Sequence, residues 1–201
     1  MTHLQRGSTR QAKIARNTNE TDVNLTLIVE GTGQAKIDTG IGFLDHLLTA
    51  IAKHGRFDIE LTCQGDRHVD DHHTVEDCGI ALGAAFDQAL GDRRGIARFG
   101  SAYAPLDEAL SRSVIDLSGR PCAMVNLGLR GEKLGALSCE NVGHFLSSMA
   151  IHARATLHVD VLRGDNDHHR AESAFKATAL AMRCAVALTG GSDVPSTKGV
   201  L

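Results

Sequence analysis

Two short stretches carry most of the side chains able to do chemistry: Asp71-His72-His73-Thr74-Val75-Glu76-Asp77 and Asp167-His168-His169-Arg170-Ala171-Glu172. Each presents Asp, His, His and Glu at the same spacing, and each opens a segment with helical periodicity. On a helix, residues four apart lie on one face, so His72 pairs with Glu76 and His168 with Glu172. His73 and His169 point about 100° around from their neighbours. One metal ion could therefore take His72 and Glu76 while His73 faces a different partner, an arrangement that suggests two ions. Nitrogen and carboxylate donors without thiolate suit manganese, iron, zinc or nickel, and more than three protein donors per ion favour a six-coordinate metal such as manganese. The plainer reading of either motif alone is a solvated histidine pair at a helix start, with Asp71 and Asp167 as ordinary N-caps. Two copies with matched histidines upstream weigh against it.

The upstream match runs from His46 to Arg56 and from His144 to Arg154, with both histidines and the arginine in register. In each copy a strand, a turn and the His-His-x-x-Glu helix follow, which marks an internal duplication. Residues 1–92 read as one half and 93–201 as a second half with a C-terminal tail, fused in one compact domain. Alternation places strands at 12–16, 23–30, 35–38 and 57–63, and apolar spacings of three and four place helices at 42–54 and 72–90. The second half gives strand-like pieces at 101–105, 109–117, 122–127 and 155–162, with helices at 138–153 and 168–188. Residues 1–11 read as a loose terminus. The expected fold is α+β: a duplicated strand-helix-strand-helix unit whose helices pack between two β-sheets and bury each other's apolar faces.

The rest of the composition narrows the function classes. A net charge of -3 and a pI near 6.4 argue against nucleic acid as a partner. Five cysteines without a C-x-x-C pair fit a reducing compartment better than a disulfide framework or a zinc ribbon. No apolar run approaches a membrane span, and the reading is a cytoplasmic protein. The opening stretch is basic and acid-poor up to Glu20, as an organelle-targeting peptide would be, but it flows into a strand without a break. His54 and His152 have the simple role of meeting a helix C-terminal dipole, His158 that of a satisfied strand residue, and His3 and His68 that of surface groups. Arg98, Arg120, Lys176 and Lys198 are candidate anion binders. Lys176 continues the helical stripe of His168 and Glu172, which suggests an anionic substrate group beside the metals.

The two histidine motifs, with Thr39-Gly40-Ile41-Gly42-Phe43-Leu44-Asp45-His46, Asp116-Leu117-Ser118-Gly119-Arg120-Pro121 and Pro195-Ser196-Thr197-Lys198-Gly199, resemble the imidazoleglycerol-phosphate dehydratases of histidine biosynthesis. The resemblance runs from about Ala12 to Leu201; residues 122–137 do not show the pattern securely. It implies an enzyme that dehydrates D-erythro-imidazole glycerol phosphate to imidazole acetol phosphate and water. It also implies a 24-subunit homo-oligomer with two Mn2+ per active site, the sites lying between subunits. By it, His46, His72, His73, Glu76, His144, His168, His169 and Glu172 are metal ligands. Arg98, Arg120, Lys176, Ser196 and Lys198 hold the substrate phosphate, His54 joins the substrate site, and Glu20 is an acid/base, with Glu172 able to share that work. No phosphatase segment precedes the matched region, which implies a single-function form.

Such a substrate has no carbonyl to acidify the carbon that must lose its proton, so the imidazole ring has to serve. A ring nitrogen on a metal would acidify the other N–H, and the imidazolate would expel the adjacent hydroxyl to give a diazafulvene-like species. Proton loss from the next carbon then gives an enol, which becomes the ketone. Two other classes share the metal motifs. A dinuclear phosphate-ester hydrolase would release free phosphate, and a metal-storage protein would have no use for Glu20 or the cations.

Overall fold

A computed structural model describes residues 9–201. His3, and residues 1–8 of the expected loose terminus, lie outside the described residues. The first half contains β1 (Gln11–Asn17), β2 (Thr21–Ile28), β3 (Ala35–Asp38), α1 (Gly42–Gly55), β4 (Asp58–Gly65) and α2 (His72–Leu90). The second contains β5 (Phe99–Leu106), β6 (Ala109–Asp116), β7 (Cys122–Asn126), a short β8 (Lys133–Leu134) and β9 (Leu137–Ser138) pair, α3 (Cys139–His152), β10 (Thr156–Arg163) and α4 (Asp167–Val186). Each half forms a four-stranded sheet of the same order, β1-β2-β4-β3 and β5-β6-β10-β7. In both, the last strand to join at the edge, β3 or β7, is the parallel one. The β8–β9 hairpin was not expected; two-residue strands are too short to leave an alternating pattern.

Strict alternation decides which sheet face is covered. Val23, Leu25 and Leu27 of β2 and Ile59 and Leu61 of β4 are buried, and their neighbours in sequence face outward. The helices lie on that inner face. α2 packs on β1 and β2 and against α3, while α4 packs on β5 and β6 and against α1. Every helix thus meets one from the other half. Phe57 stacks edge-on against Phe86 at 5.0 Å between ring centroids, and Phe145 lies on Phe175 at 5.5 Å.

The α2–α3 crossing is close enough to require glycine. A Cβ on Gly83 would lie 2.3 Å from the Met149 carbonyl oxygen and 2.8 Å from the Ala153 nitrogen. Gly83→Ala is expected to cost about 1–3 kcal/mol despite the better helix propensity of alanine, because the obstacles are backbone atoms that cannot rotate away. A urea midpoint unchanged from the parent chain would contradict that close approach. The crossing matters for the site because α2 carries His72 and Glu76 and α3 carries His144.

Candidate metal centre

The helix contacts gather six of the eight expected ligands into two triads. His72, Glu76 and His144 offer donor atoms within 4.8 Å of one another, and so do His46, His168 and Glu172. Each triad takes its histidine–glutamate pair from one half and its third ligand from the other. In the first, His144 Nε2 is 3.2 Å from Glu76 Oε1, and the His72 and His144 rings stack at 4.7 Å. In the second, Glu172 Oε2 lies 2.9 Å from His46 Nε2 and 3.1 Å from His168 Nε2. The Phe43 ring stands edge-on to His168 at 4.9 Å.

His73 and His169 do not join these triads. His73 has Asp66 at 3.0 Å from Nδ1 and Glu20 at 3.6 Å from Nε2. His169 has Glu108 at 2.7 Å from Nδ1 and Asp107 at 3.7 Å from Nε2. The rotation of about 100° per residue read from the sequence thus separates each second histidine from its neighbour.

The expected phosphate ligands fall into two groups. Arg98 forks onto Asp116 at 2.7 and 3.1 Å and donates to the Pro195 carbonyl at 2.8 Å. Arg120 approaches the same carboxylate at 3.9 Å and is otherwise open to solvent. Arg98 therefore ties the tail bearing Ser196 and Lys198 to the turn bearing Arg120; within the tail, Lys198 N donates to Ser196 Oγ at 3.2 Å. Lys176 is apart from these, 2.7 Å from Glu172 Oε1, and close enough to His54 to act on its charge. Among the described residues the Glu20 carboxylate meets His73, and its backbone carbonyl accepts from the nitrogen of Asp66.

The N-cap reading of the two aspartates needs correction. Asp71 stands at the N-cap of α2 but makes no capping bond; its carboxylate takes the Ser138 nitrogen at 2.6 Å and hydroxyl at 2.7 Å. The nitrogen of His72 goes to Asp70. Asp167 lies inside α4 and accepts from the nitrogens of Arg130 and Gly131, while Asn166 caps that helix. Both aspartates clamp the segment around β8 and β9 against the histidine helices. A carboxylate buys more by holding several loop N–H groups than by capping a helix that a neighbour already caps.

The model of the imidazoleglycerol-phosphate dehydratase family matches residues 39–182. The chain belongs to that family. It is 54% identical to an imidazoleglycerol-phosphate dehydratase of Kluyveromyces lactis over 96% of this chain and 97% of that one. It is 59% identical to one of Phytophthora nicotianae over 96% of this chain, and spans 42% of that longer protein. A solved dehydratase from Staphylococcus aureus superposes with a TM-score of 0.81 at 36% identity, covering 89% of this chain and 99% of that one. Membership makes the chain a lyase that dehydrates imidazoleglycerol phosphate in histidine biosynthesis. It sets aside the hydrolase and storage readings. The α+β duplication expected from the sequence is the fold of these dehydratases. Among the described residues, no helix is long and apolar enough to cross a membrane.

Neighbouring charges shift several of the groups around the two triads. Burial raises the pKa of Glu172, but the Lys176 hydrogen bond and His46 outweigh it and hold the carboxyl at about 2. Burial, with Lys176 beside it, lowers the pKa of His54. The Asp66 hydrogen bond raises that of His73, and the Glu108 hydrogen bond raises that of His169. A metal ligand must shed its proton, and a raised pKa keeps the proton on to higher pH. With His73 and His169 as ligands, metal uptake is expected to be complete only well above the ordinary histidine value of 6.5 and to be lost as pH falls through the raised values, before 6.5 is reached. Equilibrium dialysis across that range would measure it, and uptake independent of pH would contradict the ligand roles of His73 and His169.

Reading the sequence missed Asp66, Glu108 and Asn141 as partners of the histidines. Asn141 accepts from His72 at 3.1 Å between Oδ1 and Nδ1; its place three residues before His144 on one face of α3 was the available signal. Asp66 and Glu108 lie in turns, where no periodicity ties them to a helix motif.

Proposed function

We propose that the two triads hold two manganese ions per active site, and that His73 and His169 serve ions bound next to a neighbouring subunit. Six donors meet in two triads while two histidines of identical motif origin face away from both, which is what a site shared between copies requires. That is the observation that carries the reading. It favours a closed homo-oligomer, for which we take the 24 subunits implied by the resemblance; the cytoplasm as its compartment and the division of the chain at 1–92 and 93–201 are carried over from the sequence. The donor set fits the ion: imidazole and carboxylate without thiolate suit manganese. Such an ion, when bound, supplies Lewis acidity to the imidazole ring of D-erythro-imidazole glycerol phosphate.

The chain's own residues do the rest. Arg98 and Arg120, with Ser196 and Lys198 of the tail, receive the phosphate in place of the Asp116 contacts, as a fork geometry suits. Lys176, a phosphate ligand by the resemblance, stands with His54 beside the second triad and apart from the Arg98 group, so the two are assigned to the diol instead. Glu20 moves the proton at the carbon that becomes the enol. Glu172 is the weaker candidate for that step, because both its oxygens are engaged by His46, His168 and Lys176 and a carboxyl held at about 2 is a poor base. The test is turnover to imidazole acetol phosphate by chelated protein before and after manganese is returned. Activity is expected only after return; equal activity without metal would overturn the role of the triads.

A further inference from the structure

We infer that Asp66 and Glu108 are positioning residues that lock His73 and His169 with the proton on Nδ1 and the lone pair on Nε2, aiming that nitrogen at a metal. The inference rests on the metal-centre reading above and names what makes it work. A carboxylate can only accept, so the ring nitrogen it faces must donate. Asp66 faces His73 Nδ1 with both oxygens, at 3.0 and 3.2 Å, and Glu108 Oε2 faces His169 Nδ1 at 2.7 Å. His72 follows the same rule with the amide oxygen of Asn141. Metal-ligating histidines need such a partner to fix tautomer and ring direction.

The duplication does not account for the recurrence. Asp66 lies in the link from β4 to α2, whereas Glu108 lies in the hairpin turn from β5 to β6. Two non-equivalent segments have placed a carboxylate at the same nitrogen of equivalent histidines.

The two carboxylates differ in what else they hold, and this separates orientation from mere support. Glu108 Oε1 also accepts from the nitrogens of Asp165 and Asn166, at 3.0 and 2.9 Å. In Glu108→Gln the single amide oxygen is retained by those two donors, so the NH2 group faces His169. Nδ1 must then accept, the proton moves to Nε2, and the metal donor is lost. Among the described residues, the carboxylate of Asp66 accepts from His73 alone. In Asp66→Asn the amide is free to turn its oxygen to Nδ1 and the tautomer is kept.

Nitrogen NMR of isotope-labelled histidine in the metal-free full chain, with manganese titration by calorimetry, tests this. Glu108→Gln is expected to move the His169 proton to Nε2 and weaken manganese binding about 10–100-fold. Asp66→Ala should weaken it similarly, and Asp66→Asn should stay within about fivefold of wild type, a neutral bond replacing a charge-assisted one. Wild-type affinity and tautomer in Glu108→Gln would overturn the inference, as would equal losses in Asp66→Asn and Asp66→Ala. A wild-type chain that bound no manganese would overturn the metal-centre reading itself, whereas wild-type binding with unaffected variants would overturn this inference alone.

Discussion

Glu20→Gln is expected to lower turnover by about 10²–10⁴-fold while leaving metal content unchanged. The side chain is half exposed, and among the described residues its ion-pair partner is His73, with Nε2 at 3.6 Å, so its removal leaves no buried charge unpaired and the fold should persist. The surrounding backbone is held independently: the Thr18 hydroxyl accepts from the nitrogens of Glu20 and Thr21. An amide of the same shape cannot take a proton from carbon, which isolates the base from its contacts. Steady-state kinetics beside metal analysis by atomic emission would measure both. Wild-type turnover at full metal content would remove Glu20 from the proton transfer.

Glu172→Gln should cost about 10³-fold or more in turnover, through loss of an ion rather than of a base. The carboxylate joins His46 of α1 to His168 of α4, and its other oxygen neutralises Lys176. The amide is a poorer ligand and leaves the ammonium beside the site unpaired. Losing Lewis-acid stabilisation of several kcal/mol corresponds to that rate. The two variants are therefore expected to differ in metal content, with Glu172→Gln binding less manganese per chain and Glu20→Gln the full amount. Full metal content in Glu172→Gln would mean that the second triad does not depend on this carboxylate.

Much of this was written in the sequence because it depends on local geometry. The i, i+4 spacing of His72 with Glu76 and of His168 with Glu172 follows from the helical repeat, and so does the turning away of His73 and His169. Alternation in 23–30 and 57–63 marked the strands found at Thr21–Ile28 and Asp58–Gly65, since every second side chain of a strand faces the same side. The repeat of motifs from His46 and His144 onward disclosed the duplication, while the strand order that the two sheets share was seen only in the structure.

Tertiary structure decided which of the candidate ligands lie together. His144 reaches Glu76 because α3 crosses α2 at Gly79 and Gly83, and His46 reaches Glu172 because α1 packs on α4. No spacing along the chain encodes a crossing between halves; it is set by which apolar faces bury each other, a property summed over many side chains. The same is true of Asp66 and Glu108, whose turns acquire meaning only once the sheets have set them against the histidines, and of Asp71 and Asp167, which look like caps in sequence and act as clamps in space. The residue types were fixed by the chemistry, and their partners by packing.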